Sequence, residues 1–508
     1  MKIKILKERE ELKKENNILV PIFEEQVETQ KFTTMLTFLT PSKKSTLEEL
    51  VKKWSFKAKK GELFQFDYED NKELKTLFLY GLGKKDKFKL IGFKRAMSQS
   101  FRALSNKKLS TYSIFVPWTT TSWKLDSVLA KVYLGTALTN YKFDKYIKKD
   151  EDKIELKQVS LFINALYEKF KDSEVKKLVK ENKVIADAIE NSRNLLNETP
   201  MNMYPEVLKD SVLELFKGRK GVKTKVMDFE EIKSKGMNLL AAVGMGSDKK
   251  PYFVEISYKS TKKGAKTLSL VGKGITYDAG GYSLKPAQHM VGMHMDMGGS
   301  AMMIGVMDII TNYKLDFNVN CYLVIAENLI SGSAYKVSDV ITGYGKKSVE
   351  ILNTDAEGRL ALADGIAYAC DKGTDKLIEA STLTGAVLSA LGQEIAGIVA
   401  NNDSFVKDFK ESYEKTEEKF WQLPAEENYK ELIKSKVADL KNLGGPYAGT
   451  ITAGLFLNEF ITENVDFMHL DIAGAAMLEK DIDFYNMGGS GFGIQALSHF
   501  ILKGKVFN

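Results

Sequence analysis

Four apolar runs in the second part of the chain constrain its fold more than any other feature. Helical segments separate these runs, which read TLSLVG (267–272), FNVNCYLVIA (317–326), KLIEAST (376–382) and VDFMHLDIAG (465–474). Continuous apolar strands are typical of sheets that helices cover on both faces, so the pattern predicts a layered α/β sheet. Several of the runs end in glycine-rich loops. Because ligands bind outside the carboxyl ends of strands in open α/β sheets, we expect the chemistry where these loops converge.

The first 170 residues predict a smaller α/β domain. Short apolar runs alternate there with lysine-rich helical segments. The runs interpreted as strands or strand edges are NILVPIF (17–23), TLFLYGLG (76–83), YSIFVPW (112–118) and QVSLFINAL (158–166). This part holds no constellation of acids, histidines and cysteines, so no chemistry is assigned to it.

A long helix is predicted between the two parts, because Leu178, Ile185, Ile189 and Leu196 recur at a spacing that places them on one helix face. A chain of 508 residues also exceeds what a single core usually supports. The predicted organisation is an N-terminal α/β domain (1–170), a linking helix (171–199) and a larger C-terminal α/β domain (200–508).

The charge distribution argues against a nucleic-acid-binding protein. The formal net charge is +7, but the lysines are spread along the chain, nearly as many acids balance them, and no basic block stands out. No stretch of about 18 uninterrupted apolar residues occurs, and the charged start MKIKILKEREELKKENN has no signal-peptide core, so we expect neither membrane insertion nor secretion. Cys321 and Cys370 each lie in an apolar run, which predicts buried thiols in a reduced, cytoplasmic protein without disulfides.

Two loops contain the residues best suited to catalysis. The first follows TLSLVG, reads KGITYDAGGYSLKP (273–286) and continues through MVGMHMDMGGSAMM (290–303); the second reads NTDAEGRLALADGIAYA (353–369). At strand ends or helix starts, the two loops hold Lys273, Asp278, Lys285, Asp296, Asp355, Glu357 and Arg359.

The acidic residues of these loops predict a metal centre. Asp355 and Glu357 are two residues apart, so in an extended segment their carboxylates point to the same side. Asp278 and Asp296 complete a set of four carboxylates, enough to balance two divalent cations such as Mg²⁺, Mn²⁺ or Zn²⁺. Metal pairs of this kind recur in phosphatases, nucleases and aminopeptidases. With four histidines and neither HExxH nor CxxC, the chain must build such a centre from carboxylates.

Other interpretations of the two loops explain less. Helix capping or surface solvation accounts for TDAEG equally well, but it explains neither the glycines nor the lysines that accompany the acids. The segment VGKG (271–274) lacks the flanking residues of a phosphate-binding loop. The segment GGSGFG (488–493) lacks the strand–turn–helix setting of a serine nucleophile.

From about residue 190 to 500 the sequence resembles the leucyl aminopeptidase family, the cytosolic two-metal exopeptidases also called cytosol aminopeptidases. The resemblance rests on blocks in a fixed order, namely VGKGITYDAGGYSLKP, MDMGGSA, AEN, NTDAEGRL, STLTGA, ITAGLFL and HLDIAG. It implies that the C-terminal domain is catalytic, has a mixed central sheet, and assembles into a homohexamer. It also implies an enzyme that releases N-terminal amino acids, preferably leucine-like, from short peptides by a water that two metal ions activate.

The resemblance also implies a ligand set. Asp278 and Glu357 would bridge both ions, Asp355 would serve a looser, exchangeable site, and Lys273 with Asp296 would complete the tighter one. The implied ions are Zn²⁺ or Mn²⁺, with Mg²⁺ or Co²⁺ also accepted at the exchangeable site.

The same resemblance assigns catalytic and substrate-binding residues. Lys285 and Arg359 match two catalytic basic residues, and the arginine of the family holds a bicarbonate that acts as general base. The matching substrate residues are Met293, Thr382, Ala473 and Ala476 in the pocket for the N-terminal side chain, with Leu383 and Gly385 offering backbone groups to the peptide.

Two alternatives stay open. A two-metal phosphoesterase would also use a carboxylate cluster, although it usually needs histidines or several arginines for phosphate and this site offers one arginine. Some relatives have a second, DNA-binding regulatory role, which the basic balance allows. The chain also departs from the family pattern, for example at Glu379, which replaces the usual aspartate before STLTGA. No departure falls on an implied ligand, so the chemistry is expected to be retained.

Overall fold

The computed structural model describes residues 2–105, 107, 109–116, 123–148, 156–163 and 171–507. The chain divides into two compact units. The first comprises Met1–Asp187 with Asp481–Asn486, and the second comprises Ala188–Lys480 with Met487–Asn508. Each unit has its own sheet with helices, so the predicted two-domain α/β fold is confirmed.

The first unit is built on one mixed sheet. Its strands are β1 (Lys2–Leu6), β2 (Asn17–Ile22), β3 (Leu63–Asp70), β4 (Glu73–Gly81), β5 (Thr111–Phe115) and β6 (Gln158–Phe162). Within the described residues they pair in the order β1-β6-β5-β2-β4-β3, and only the β3–β4 pair is antiparallel. Its helices are α1 (Arg9–Leu12), α2 (Glu24–Glu28), α3 (Phe32–Met35), α4 (Pro41–Lys53), α5 (Ile91–Ser105) and α6 (Leu125–Asn140), with a 3-10 turn at Lys85–Lys87.

The apolar runs of the first unit form strands as predicted. They correspond to β2, β4, β5 and β6, whose alternating or continuous apolar residues are buried in the sheet. The ends of two predicted runs, 117–118 and 164–166, lie outside the described residues.

Helix α7 (Asp172–Asn197) is the long helix that the spacing predicts, and the division between the units falls within it. Ile189 and Leu196 are buried, whereas Leu178 and Ile185 are partly exposed.

Residues 481–486 belong to the first unit, although the sequence places them in the C-terminal domain. Contacts with α5 and α6 account for this difference. The Arg95 Nε donates to Asp483 Oδ2 at 2.9 Å. The Asn486 Nδ2 donates to the carbonyl oxygens of Thr139 and Tyr141 at 2.8 and 2.7 Å.

The second unit contains the apolar runs that dominate the sequence pattern. Its strands are β7 (Val222–Met227), β8 (Tyr252–Tyr258), β9 (Thr267–Asp278), β10 (Asn318–Asn328), β11 (Val340–Thr342), β12 (Ser348–Glu350), β13 (Lys376–Ser381), β14 (Ile395–Ala400), β15 (Lys419–Gln422), β16 (Leu440–Lys441), β17 (Asp466–Asp471), β18 (Met477–Leu478) and β19 (Gly488–Gly489). Its helices are α8 (Pro205–Phe216), α9 (Phe229–Ser234), α10 (Asn238–Gly244), α11 (Ala287–Met290), α12 (Gly298–Ile310), α13 (Gly358–Asp371), α14 (Gly385–Leu391), α15 (Asp403–Thr416), α16 (Gly449–Asn458) and α17 (Ile494–Leu502), with 3-10 turns at Met293–Met297, Glu427–Ile433 and Lys505–Phe507.

The main sheet of this unit sets the position of the site. In the described chain its strands pair in the order β15-β14-β17-β13-β9-β10-β8-β7. The central strands β17, β13, β9 and β10 are parallel neighbours, so their carboxyl ends lie at one edge. The flanking pairs β14–β17, β8–β10 and β7–β8 are antiparallel, which makes the sheet mixed.

Two helices cover the central strands and remove them from water. Helix α12 is buried along its whole length, and α13 is buried from Gly358 to Ala369. Burial of this much apolar surface, worth about 25 cal/mol per Å², fixes the strand ends on which the site is built. Both cysteines are free; Cys321 in β10 is buried, and Cys370 in α13 is partly exposed rather than buried as predicted. Across the described ranges, no helix has the length and apolar character needed to cross a bilayer.

Candidate active site

The carboxyl edge of the central strands brings the two predicted loops together. Lys273 lies within β9, and Asp278 is its last residue. The pairing of β9 with β10 shifts register after Ala326, which places Asn328 directly opposite Asp278. Bulges of this kind re-aim side chains next to active sites. Asp296 follows in the 3-10 turn Met293–Met297, and Glu357 immediately precedes α13.

Lys273 is the centre of one half of the cluster. Its Nζ lies 2.7 and 2.8 Å from the two carboxylate oxygens of Asp296 and 2.9 Å from Glu357 Oε1. The side chains of all three residues are almost completely buried. The structure therefore joins three of the five predicted ligands by direct contact.

Lys285 is the centre of the other half. Its Nζ lies 2.9 Å from Asp278 Oδ2 and 2.5 Å from Asp355 Oδ1. Asp355 and the Lys285 side chain are only partly buried, so this half of the cluster opens toward solvent. Carboxylate oxygens of Asp278, Asp355 and Glu357 lie within 4.8 Å of one another, which connects the two halves.

The donor set fits divalent metal ions. Four carboxylates face two ammonium groups, which leaves an excess of negative charge in a buried place. In the described part of the chain, the buried Glu357 Oε2 has no hydrogen-bond partner. A buried carboxylate oxygen is costly to leave unpaired, and a cation would satisfy it. Oxygen donors a few ångströms apart are the ligands that Mg²⁺, Mn²⁺ and Zn²⁺ accept.

The electrostatics of the cluster show how strongly its charges interact. Burial and the neighbouring Glu357 raise the pKa of Asp278 to about 6, and burial raises the pKa of Asp296 and of Asp355. Burial opposes ionisation of Glu357, but Lys273 and Lys285 together outweigh it and lower the pKa of Glu357. Burial likewise opposes the charge on Lys273, but Asp296 and the other carboxylates raise its pKa. The neighbouring groups therefore favour the charged forms of Lys273 and Glu357, whereas burial disfavours the charged forms of Asp278, Asp296 and Asp355.

Gly358 explains why a glycine follows the acidic pair. A methyl group at this position would lie 2.4 Å from Lys273 Cε and 2.5 Å from its Nζ. Any larger residue would push the lysine away from Asp296 and Glu357. The glycine thus allows the start of α13 to approach β9 closely.

Arg359 lies in the first turn of α13, and its guanidinium is buried. Its Nε has no hydrogen-bond partner among the described residues. Burial lowers the pKa of Arg359 to about 10, although Glu357 and Asp471 oppose this shift. A buried, planar cation without a bidentate partner suits a small carboxylate-like anion.

The predicted substrate residues surround the same edge. Thr382 donates from Oγ1 to Asp296 Oδ1 at 2.8 Å, so the loop after β13 contacts the ligand set directly. A methyl group at Gly298 would lie 2.9 Å from Thr382 Cγ2 and 3.3 Å from Ala476 Cβ, which places these small residues side by side. Met293 begins the 3-10 turn that carries Asp296.

Asp471, at the end of β17, fixes the backbone of Leu383 and Ala473, two of the remaining substrate residues. Its Oδ1 accepts from the backbone N–H groups of Leu383 and Ala473 at 3.2 and 3.3 Å. Its Oδ2 accepts from Thr384 Oγ1 at 2.6 Å. Gly385 follows as the first residue of α14 and is exposed.

Several residues that position the site were not predicted. Asn328 Nδ2 donates to Asp278 Oδ1 and to the carbonyl oxygen of Thr354, both at 2.9 Å. Tyr335 Oη donates to the same carbonyl at 2.8 Å. Asn442 Nδ2 donates to the carbonyl of Asn353 at 2.6 Å. The blocks AEN and NTDAEGRL contain Asn328 and Thr354, so a signal existed for these two; nothing in the sequence singles out Tyr335 or Asn442.

Family models match both units. The model described as "Cytosol aminopeptidase family, catalytic domain" covers residues 190–498, and "Cytosol aminopeptidase family, N-terminal domain" covers residues 19–150. A "Probable cytosol aminopeptidase" of Clostridium perfringens is 38% identical and covers 94% of this chain and 95% of its own length. A protein of the same description from Aquifex aeolicus is 35% identical, with coverages of 95% and 98%.

Solved structures agree with these relatives. A mutant of tomato leucine aminopeptidase superimposes with a TM-score of 0.84 at 25% identity, covering 99% of this chain and 96% of the tomato chain. The bottromycin maturation enzyme BotP, in complex with Mn, superimposes with a TM-score of 0.83 at 25% identity, with coverages of 96% and 99%.

Proposed function

The chain belongs to the cytosol aminopeptidase family and is a metallo-aminopeptidase, and we propose that it releases leucine-like residues singly from short peptides with two divalent metal ions bound at the carboxylate cluster. The observation that carries the proposal is the convergence of Asp278, Asp355 and Glu357, whose oxygens lie within 4.8 Å of one another beside Lys273.

The proposed ligands divide between the two halves of the cluster. Asp278 and Glu357 lie where the halves meet and would be shared by both ions. Lys273 and Asp296 would complete the buried site, and the partly exposed Asp355 would complete the site that exchanges. Lys273 can ligate only as a neutral amine, so metal binding there is coupled to loss of its proton. Bound divalent ions supply Lewis acidity, which acidifies water and polarises a carbonyl group. We propose Zn²⁺ or Mn²⁺, with Mg²⁺ or Co²⁺ accepted at the exchangeable site.

Three residues of the chain would act on the substrate. The Asp296 carboxylate, next to the pocket, would hold the free amino group and so restrict cleavage to the first peptide bond. The ammonium group of Lys285 would stabilise negative charge on the oxygen of the scissile carbonyl, a contribution of about 3–4 kcal/mol for one well-placed donor. Arg359 would hold a bicarbonate that accepts a proton from the attacking water.

The preference for leucine-like residues rests on the small side chains of the pocket. Thr382, Ala473 and Ala476 would line this pocket with small side chains, and Thr382 and Ala476 lie next to each other beside Gly298. One methylene group changes specificity in such a pocket by only about 1–3 kcal/mol, so methionine should also be accepted. Backbone groups of Leu383 and Gly385 would align the peptide. By resemblance to the family, we further propose a homohexamer that acts in the cytoplasm.

Metal removal tests the proposed function directly. We expect the purified protein to hydrolyse leucine amide, to lose nearly all of this activity after treatment with a chelator, and to regain it with Mn²⁺ or Zn²⁺. Elemental analysis of the active protein should give about two metal ions per subunit. N-acetyl-leucine amide is the matched control substrate, because it lacks the free amino group and should not be cleaved. Failure to cleave any aminoacyl amide in the metal-loaded state would refute the proposal, and cleavage of a phosphate ester instead would favour the phosphoesterase alternative.

Arg359→Ala should lower kcat for leucine amide about 10- to 100-fold, less than loss of a metal ligand, because water can still be deprotonated by other routes. Added bicarbonate should stimulate the wild-type enzyme and restore much less activity to the variant, since the buried guanidinium that holds the anion is gone. Arg359→Lys keeps the charge but not the planar fork, and should fall between the two. An identical bicarbonate response in all three proteins would contradict this role.

A further inference from the structure

A cavity of about 440 Å³ lies in the first unit, the part of the chain to which the sequence assigns no chemistry. It is found at the carboxyl ends of β2 and β4, which are parallel neighbours in the sheet. Leu82 and Gly83, directly after β4, line it together with Glu24, the first residue of α2. Ligands of open α/β sheets bind outside the carboxyl ends of strands, and cavities of about 300–1,000 Å³ hold small molecules. Both the position and the size of the cavity therefore suit a small ligand.

The loop after β4 forms a fixed wall of this cavity. The backbone N–H of Glu24 donates to the carbonyl oxygen of Gly83 at 3.1 Å, and the N–H of Gly83 donates to the carbonyl oxygen of Ala58 at 3.0 Å. Gly83 has a φ of +80°, a left-handed conformation that glycine adopts at no steric cost. A methyl group there would lie 3.4 Å from Lys60 Cβ. The glycine thus lets this loop lie close to the segment that carries Lys60.

Part of the lining is apolar. Leu82, Ile91 and Ala96 are buried and line the cavity. Phe88 is partly exposed, and its ring packs edge-on against Phe23 with the ring centroids 5.0 Å apart. An aromatic ring held in this way offers a surface to the apolar or aromatic body of a ligand.

The rest of the lining is strongly basic. Four lysines line the cavity, are exposed and have no ion-pair partner among the described residues, namely Lys60, Lys84, Lys87 and Lys89. Glu24 is the one acid among the described residues that line it. Clustered positive charge of this kind raises the local concentration of anions.

Arg95, in the second turn of α5, adds a donor with a fixed orientation. Its Nε donates to Asp483 Oδ2 at 2.9 Å, and its two terminal nitrogens have no partner in the described part of the chain. Ile91 and Gly92 at the start of α5 also line the cavity, and the positive end of a helix dipole favours negative charge. A guanidinium fork binds carboxylate or phosphate oxygens in pairs. Because four lysines accompany the arginine, a dianion such as phosphate matches the charge better than a single carboxylate.

We propose that this cavity binds a small organic phosphate, whose body lies against Phe88 and whose phosphate group is held by Arg95 and the surrounding lysines. A nucleoside monophosphate combines an aromatic body with a phosphate dianion and is small enough for the cavity. The site is separate from the metal cluster in sequence and belongs to the other unit, so the inference does not depend on the proposed function.

Calorimetric titration of the full-length, metal-loaded protein tests the inference. The probes are AMP, adenosine and inorganic phosphate, at about 150 mM salt so that weak surface attraction is screened. We expect saturable binding of AMP, at least about tenfold tighter than binding of adenosine or inorganic phosphate, since each of these lacks one half of the recognised chemistry. Glu357→Gln should bind AMP as the wild type does, which distinguishes this cavity from the metal cluster.

Charge reversal at the rim identifies the site. Lys84→Glu combined with Lys87→Glu should raise the Kd for AMP about tenfold or more and leave hydrolysis of leucine amide unchanged, because both side chains are exposed. Arg95→Gln should weaken binding as well. Lys53→Glu is the matched control, because Lys53 is an exposed lysine at the end of α4 that does not line the cavity, and its Kd should equal that of the wild type.

Three results would overturn the inference, namely no saturable binding of AMP, equal affinity of the wild type for AMP and inorganic phosphate, or an unchanged Kd in the doubly reversed variant. None of them bears on the proposed function, which hydrolysis of leucine amide tests separately.

Discussion

Glu357→Gln is expected to lower kcat for leucine amide by on the order of a thousandfold or more, the scale on which loss of a central catalytic group acts. Glu357 is fully buried, contacts Lys273 at 2.9 Å, and has a second carboxylate oxygen with no hydrogen-bond partner in the part of the chain that the structure covers. Glutamine keeps the size of the side chain and removes the negative charge that two cations would share. We expect the metal content of the purified variant to fall along with its activity, and both are measured on the same preparation.

The control for this substitution is Glu327→Gln. Glu327 is also a buried carboxylate, lies on the neighbouring strand β10, and accepts a hydrogen bond from Ser247 Oγ at 2.6 Å. Burial raises the pKa of Glu327, so a neutral amide suits its site. This variant should keep its metal content and most of its activity. Near wild-type turnover of Glu357→Gln in metal-replete buffer, with an unchanged melting temperature, would exclude a bridging role for Glu357.

Lys285→Ala is expected to lower kcat by about 100- to 1,000-fold, the effect of removing one donor that stabilises developing negative charge. The Lys285 ammonium lies between Asp278 and Asp355, and these carboxylates raise its pKa even though burial opposes its charge. These two carboxylates therefore favour the charged form of Lys285. The KM for leucine amide should change little, because the interaction forms mainly in the transition state.

The matched control for Lys285 is Lys336→Ala, which removes a positive charge from an exposed loop near Tyr282. This control should retain nearly full activity. If Lys285→Ala instead raised KM and left kcat unchanged, the lysine would bind the ground state and the transition state equally. Lys285 also neutralises Asp278 and Asp355, two of the proposed ligands. Metal analysis of both variants therefore shows whether activity is lost through a change in metal content.

The main features of the fold followed from residue patterns. The runs at 267–272, 317–326, 376–382 and 465–474 form β9, β10, β13 and β17, since continuous apolar segments of this length are stable only when helices cover both faces. Asp278 lies at the carboxyl end of β9, as the rule for open α/β sheets predicts, and the start of α13 brings Glu357 to it. The strand β9 is longer than its apolar run, because Lys273 and Asp278 continue it into the site.

Other features depend on tertiary contacts that no local pattern encodes. The segment 481–486 reads as part of the second unit, yet Arg95 and Thr139 hold it in the first. Asn442 lies 89 residues from the loop that it supports, and neither its neighbours nor its spacing indicates a role. Residues that support a site through single hydrogen bonds over such distances are visible only in three dimensions.

Glu379, where the chain departs from the family pattern, pairs with a residue that the sequence did not indicate. Glu379 on β13 and His469 on β17 face each other in the sheet, are both fully buried, and form a short hydrogen bond between Oε2 and Nδ1. Burial would lower the pKa of His469, but the carboxylates of Glu379 and Asp471 together outweigh this effect and raise it. The longer side chain at position 379 is thus accommodated in a buried polar pair on the strands that lead to the substrate loop.

The order of strands in the main sheet has a consequence for synthesis of the protein. Strand β13 lies between β9 and β17, and Asp471 at the end of β17 holds the backbone of Leu383, which precedes it by 88 residues. A chain still on the ribosome that has not yet released β17 therefore lacks one wall of the cleft, even though every acidic residue of the cluster has already been translated. The backbone of Leu383 can therefore take up its final position only after translation has passed residue 471.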